Sequence, residues 1–200
     1  MTPAPHVAAS GDSRGALVRD LVERAQGGDR EAFGALVQLT SDRMYALAAR
    51  ILRDNDLAED ALQGALINAW RQLPALREPD RFEAWLRKVL VHACYAEARR
   101  RRSWSANVRV LPVDGPAGPD DLITIDERDA LDRAFRRLSI EQRAVFVLHH
   151  HQGLPLVEIA ESLGIPAGTA RSRLHYATKV LRAAIDADDR GLVANEGRMA

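Results

Sequence analysis

Apolar residues recur at helical spacing along most of this chain. Leu17, Val18, Leu21, Val22 and Ala25 form a first stripe that stops at Gly27-Gly28. Asp29 is placed to cap a second helix carrying Phe33, Leu36, Val37, Met44, Leu47, Ala48 and Ile51. The Asp54-Asn55-Asp56 cluster breaks the pattern, and Asp56 with Glu59 has the spacing of a capping box. A third stripe follows: Leu57, Ala58, Ala61, Leu62, Ala65, Leu66, Ala69, Trp70 and Leu73, closed by Pro74. Asp80 with Glu83 offers another cap before Phe82, Trp85, Leu86, Val89, Leu90 and Ala93. No segment alternates with a period of two for long enough to make a strand. The pattern predicts an all-α chain whose first part is a helical bundle.

Residues 103–121 change character. Pro112, Pro116 and Pro119 with Gly115 and Gly118 exclude a continuous helix, and Asp114, Asp120 and Asp121 keep the stretch solvated. A flexible linker is expected there. Beyond it Leu122–Leu138 reads as a helix, and Ser139-Ile140-Glu141-Gln142 is a capping box for the next, which should end near Gly153. The expected organisation is a disordered tail over 1–15, a helical bundle over 16–102, the linker over 103–121, a small helical domain over 122–186, and a mobile tail over 187–200. Two small helical domains joined by a Pro/Gly/Asp linker fit the length.

Charge adds what periodicity cannot. Lys+Arg 28 balances Asp+Glu 28, so the net charge is zero and a uniformly basic nucleic-acid coat is excluded. The charges are nonetheless segregated. Residues 54–60 carry Asp54, Asp56, Glu59 and Asp60 with no cation, whereas 81–102 end in Arg99-Arg100-Arg101-Arg102. Residues 167–182 carry Arg171, Arg173, Lys179 and Arg182 with no acid. Two basic helices in two domains are the footprint of a double contact with nucleic acid.

The sharpest motif is LVEIAESLGIPAGTARSRLHYATKVL, residues 156–181. A short helix turns Ile159, Ala160 and Leu163 inward, Gly164 permits a tight turn, Ile165 plugs the core, and Pro166 starts the next helix. The second helix buries Ala170, Leu174, Ala177 and Leu181 and leaves Thr169, Arg171, Ser172, His175 and Tyr176 outward. This is the pattern of a helix-turn-helix, domain-terminal, with a polar recognition helix suited to the major groove.

Three stretches in order then resemble one family. GIPAGTARSRLHYATKVLR is similar to the promoter-reading helix of the extracytoplasmic-function group of bacterial RNA polymerase sigma factors. Leu57-Ala58-Glu59-Asp60-Ala61-Leu62-Gln63 with Asn68-Ala69-Trp70 resembles that family's polymerase-binding helix. Phe82-Glu83-Ala84-Trp85-Leu86, leading to Ala98 and the four arginines, resembles its helix for the −10 promoter element. The likeness spans about residues 16–186. It implies that Glu59, Asp60, Gln63 and Asn68 meet core RNA polymerase, and that His92 and Arg99, Arg100, Arg101 and Arg102 meet the −10 element of promoter DNA. It further implies that Thr169, Arg171, Ser172, Arg173, His175, Tyr176 and Lys179 meet the −35 element. The implied function is promoter recognition and transcription initiation by an alternative factor held by an anti-sigma factor. His92 and Ala96 stand where the family usually carries Asn and Asp, Tyr176 and Thr178 where it is often basic, and Pro155 where it often has a capping Ser.

Other residues invite different chemistry. His149-His150-His151 point about 100° apart on a helix and cannot converge on one metal ion. Cys94, the single cysteine, forbids an internal disulfide and reads as a buried, inert thiol. Trp70 and Trp85 lie on apolar stripes and read as core, whereas Trp104 can either stack on a base or pack on the bundle. No enzyme, cofactor or metal is expected: there is no phosphate-cradling Gly loop, convergent ligand set or activated nucleophile. No apolar run is long enough to span a bilayer, and a cytoplasmic protein is expected. A helix-turn-helix regulator that never meets polymerase is the alternative; it explains the second domain but not the acidic helix at 56–73 or the arginine-ended one at 81–102.

Overall fold

The computed structural model describes the backbone of residues 9–107 and 125–196, and side chains over 13–104 and 131–187. Among the described residues there are eight α-helices and two 3-10 turns, and no strand. The helices are α1 (Ala9–Gln26), α2 (Arg30–Leu52), α3 (Asn55–Gln72), α4 (Phe82–Asn107), α5 (Ile125–Arg137), α6 (Ile140–His150), α7 (Leu156–Leu163) and α8 (Ala167–Glu196). The turns, Leu73–Ala75 and Pro79–Arg81, sit between α3 and α4. The chain divides into two compact units, Met1–Ala48 with Asp56–Glu97, and Ala49–Asn55 with Ala98–Ala200.

In the first unit Val22, Leu36, Leu47, Leu73, Phe82, Leu86, Leu90 and Val91 are buried. α3 contributes Ala58, Ala61, Ala65 and Ala69 to the interior. A face of alanines has no side-chain bulk beyond Cβ, so it permits the close end of the helix-packing range. Asp29 caps α2 as expected: its Oδ1 accepts the amides of Glu31 at 2.9 Å and Ala32 at 3.0 Å, and Oδ2 accepts from Arg24. Those donors, the Ala32 amide foremost, hold its carboxyl below the ordinary carboxylate range. The Gln26 amide group donates to the carbonyls of Leu73 and Leu76, which ties the end of α1 to the first 3-10 turn.

Several local readings change. Leu17, assigned to the first apolar stripe, is 50% exposed. Asp56 lies inside the first turn of α3 instead of capping it, because the helix already starts at Asn55. Asp80 caps nothing; it sits in the second 3-10 turn and accepts from Arg19 at 3.0 Å, while Glu83 is paired with Arg43. In both acids a cationic partner from another helix outcompetes the local backbone. α1 begins within the stretch read as tail, α4 runs five residues past Arg102, and α8 continues as far as Glu196, into the stretch read as a mobile C-terminal tail. Most of the expected linker, residues 108–121, lies outside the described residues.

The second unit is built around α8, which packs against α5, α6 and α7. Ala134 and Leu138 meet Ala177 and Leu181, with Leu131, Phe135, Phe146, Val180 and Ala184 packed around them. α6 opens on the expected capping box: the Ser139 hydroxyl accepts from the Gln142 amide, and the Gln142 side chain accepts from the Ser139 amide. α7 has Pro155 at its N-cap, with no side-chain cap. It ends at Gly164 in the left-handed conformation (φ 65°), where the Gly164 and Ile165 amides close the helix by donating back to Glu161 and Ala160. That closure turns the chain into α8.

Candidate nucleic-acid interface

The polar face of α8 is set by what the opposite face buries. Ala170, Ala177 and Leu181 are buried, which leaves Arg171, Ser172, His175, Tyr176 and Lys179 exposed. Tyr176 is 51% exposed, a large aromatic with no core to fill. Thr169 and Arg173 are only half-buried where Thr169 was expected to be outward. The Thr169 amide also has a partner, since it donates to the Pro166 carbonyl at 2.9 Å. The Ser172 hydroxyl donates to the Thr169 carbonyl at 3.0 Å. With its hydrogen so used, Ser172 presents lone pairs, and so an acceptor, to anything lying over α8.

Arg173 belongs partly to the scaffold. Burial pushes the Glu141 carboxyl up, but its backbone amide, the Ser139 hydroxyl and the charges of Arg173 and Arg102 outweigh that and hold it low. His149 and His150 are likewise occupied, by the Leu154 carbonyl at 2.9 Å and by the Phe146 ring at 4.4 Å between centroids. Among the described residues no three His, Cys, Asp or Glu side chains are grouped to hold a metal.

On α4 the buried side is Phe82, Leu86, Leu90, Val91 and Cys94. Burial pushes the Cys94 thiol up to about 12, so it carries no thiolate near neutral pH. The opposite side exposes Lys88, His92, Ala96 and Arg99, a stripe at successive turns. The His92 ring meets Tyr95 edge-on at 6.2 Å. All four arginines are exposed, yet consecutive residues lie about 100° apart and surround the helix. Only Arg99 therefore shares the His92 stripe. Arg101 is paired with Asp54, and Arg102 Nε donates to the Ala98 carbonyl. Lys88 was missed; its spacing of four from His92 was the available signal.

Glu59, Asp60, Gln63 and Asn68 are all exposed on α3, away from its alanine face. Ile67 is 49% exposed among them. It too was missed, although it falls outside the apolar repeat Ala58, Leu62, Ala65, Leu66, Ala69. Trp70 is half-buried against Phe33, centroids 5.0 Å apart, and Trp85 is half-buried near Phe82. Among the described residues no helix is long and apolar enough to cross a membrane.

Known proteins match these features in the same order. The Sigma-70 region 2 model matches residues 36–104, and the Sigma-70 region 4 model matches residues 128–181. The chain is 32% identical over 173 residues to the ECF RNA polymerase sigma-E factor of Escherichia coli K12, covering 80% of this chain and 90% of that one. It is 25% identical over 178 residues to the ECF sigma factor SigW of Bacillus subtilis, covering 83% and 95%. Among solved structures, the sigma factor RpoE bound to the anti-sigma factor NepR of Bartonella quintana has a TM-score of 0.62 and 26% identity, covering 78% of this chain and 98% of that one. CnrH in complex with the cytosolic domain of CnrY has a TM-score of 0.59 and 25% identity, covering 86% and 99%. An acidic α3, a basic α4 and a helix-turn-helix with a polar α8, matched in this order by both sigma regions and by full-length relatives, make the chain a member of the ECF family of RNA polymerase sigma factors.

Proposed function

We propose that this chain binds core RNA polymerase through Glu59, Asp60, Gln63 and Asn68 of α3, with Ile67 at the centre of that face, and carries it to promoters. His92 and Arg99 to Arg102 meet the −10 element, with Lys88 and Arg99 on the His92 side. Arg171, Ser172, His175 and Tyr176 lie at base edges of the −35 element, Arg173 and Lys179 meet its backbone, and Thr169 contributes at the first turn of α8. The domains that carry these roles are residues 16–102 and 122–186. The chain works in the cytoplasm, has no catalytic role of its own, and is held by an anti-sigma factor, a reading supported by the solved relative RpoE in complex with the anti-sigma factor NepR.

The observation that carries the reading is the exposed polar face of α8 behind the Gly164 turn. Arg171 can donate two hydrogen bonds to guanine, worth about 1–3 kcal/mol of discrimination. Ser172, as an acceptor, suits the amino group of adenine or cytosine. The test reconstitutes the chain with core polymerase and selects binding sites from randomised DNA. A bipartite preference is expected, with Arg171→Ala relaxing one or two base pairs of its upstream half. Sequence-specific binding by the free chain with no affinity for core would replace this reading with that of a helix-turn-helix regulator. No preference in the parent would remove α8 from the interface.

A further inference from the structure

Only two of the 28 cationic side chains are lysines, Lys88 and Lys179. The difference is chemical: a lysine amine can give up a proton and become a nucleophile, whereas a guanidinium stays protonated. One lysine lies on each basic helix, Lys88 on α4 and Lys179 on α8, and both are exposed. Among the described residues neither has a hydrogen bond or an ion pair. Neither has a carboxylate one turn away on its own helix. Each instead has an imidazole four residues away, His92 after Lys88 and His175 before Lys179, and both imidazoles are exposed as well. Residues four apart on a helix are neighbours, with Cβ atoms about 5–6 Å from each other. The flexible lysine stem can therefore bring Nζ to the ring, and imidazole is the side chain suited to taking a proton near neutral pH. The acidic face of α3, with Glu59, Asp60, Gln63 and Asn68, holds no amine.

We propose that Lys88 and Lys179 are acylation sites for an acyl phosphate, and that their modification weakens promoter binding while sparing core polymerase. The sites stand on the two amine–imidazole pairs; the consequence rests on the reading of α3, α4 and α8 given above. The neighbouring imidazole accepts one ammonium proton, and the freed Nζ lone pair attacks the acyl carbon. The C–N bond forms, the C–O bond to phosphate breaks, and the second proton leaves with the phosphate as hydrogenphosphate. Around Lys179 the anionic donor is drawn in, because residues 167–182 carry four cations and no acid. The product is a neutral amide that no longer pairs with a DNA phosphate.

The test treats the full-length chain with acetyl phosphate and follows each site by peptide mass, with free Nα-acetyllysine in the same solution as the reference amine. Both lysines should react about tenfold faster than the reference, less than a fully positioned general base would give because the pairs are exposed. His92→Gln should slow Lys88 alone, and His175→Gln should slow Lys179 alone. Treated and untreated samples of one preparation are then compared for core pull-down and for promoter binding by the holoenzyme. Pull-down should be unchanged. The loss of promoter affinity should shrink about tenfold between 50 and 200 mM salt, as expected for two phosphate contacts. A chain carrying Lys88→Arg with Lys179→Arg should show the same promoter affinity before and after treatment. Reaction no faster than the reference, or at rates that the histidine substitutions leave alone, overturns the sites. Core binding lost together with promoter binding overturns their consequence, as does a loss on treatment in the double arginine chain. Failure of the untreated chain to bind core overturns the polymerase reading instead, and the reaction rates then decide the sites alone.

Discussion

Of the four consecutive arginines on α4, Arg99 should dominate the salt dependence of promoter binding. It continues the exposed stripe of Lys88, His92 and Ala96, whereas the Arg101 charge is already met by Asp54. Each phosphate left without its cation should make the slope of log affinity against log salt shallower by about 0.7 on a single strand or about 0.9 on B-form duplex. Arg99→Ala should therefore lose one such increment. Its deficit against the parent should shrink about threefold between 50 and 200 mM salt, since a fourfold rise in salt is raised to that power. Arg101→Ala should change the slope less, because removing it frees Asp54 rather than a phosphate. Asp54→Ala should steepen the slope by releasing Arg101. The assay is equilibrium binding of reconstituted holoenzyme to a labelled promoter at several salt concentrations. Equal changes for Arg99→Ala and Arg101→Ala would refute the division, and parallel lines for parent and Arg99→Ala would remove α4 from the DNA.

Three further outcomes follow from the same geometry. Asp60→Lys with Gln63→Ala, and separately Ile67→Asp, should weaken core binding with helicity unchanged; undiminished pull-down of core would exclude α3 as the docking face. Gly164→Ala should destabilise the second domain by about 1 kcal/mol in urea unfolding, through the left-handed φ of 65° alone, because an added Cβ meets nothing within 4 Å; a stability equal to the parent would show that the turn relaxes. Burial, then His149 and Arg182, lower the His150 pKa, so the folded state resists its protonation. That contribution is complete above the ordinary value of 6.5 and is lost as pH falls below it, so the parent should lose more melting temperature on acidification than His150→Gln.

Much of this protein was legible in its sequence because helices carry their own period. The α2, α6 and α7 boundaries follow from apolar spacing, Gly and Pro breaks and the Ser139 box, all local interactions within a turn or two. The recognition face of α8 was legible for the same reason: a small, regular buried side leaves the rest outward. What local pattern could not decide is competition between distant partners. Asp80 and Glu83 read as a cap and became ion pairs with Arg19 and Arg43, 61 and 40 residues away. Arg101 is identical in sequence terms to Arg99, yet only the fold brings Asp54 to it. Leu17 sits on an apolar stripe that predicts burial, Trp104 fits packing or stacking equally well by sequence, and both are exposed. Periodicity states which side of a helix is apolar, but only the tertiary structure determines how far along that side there is anything to pack against.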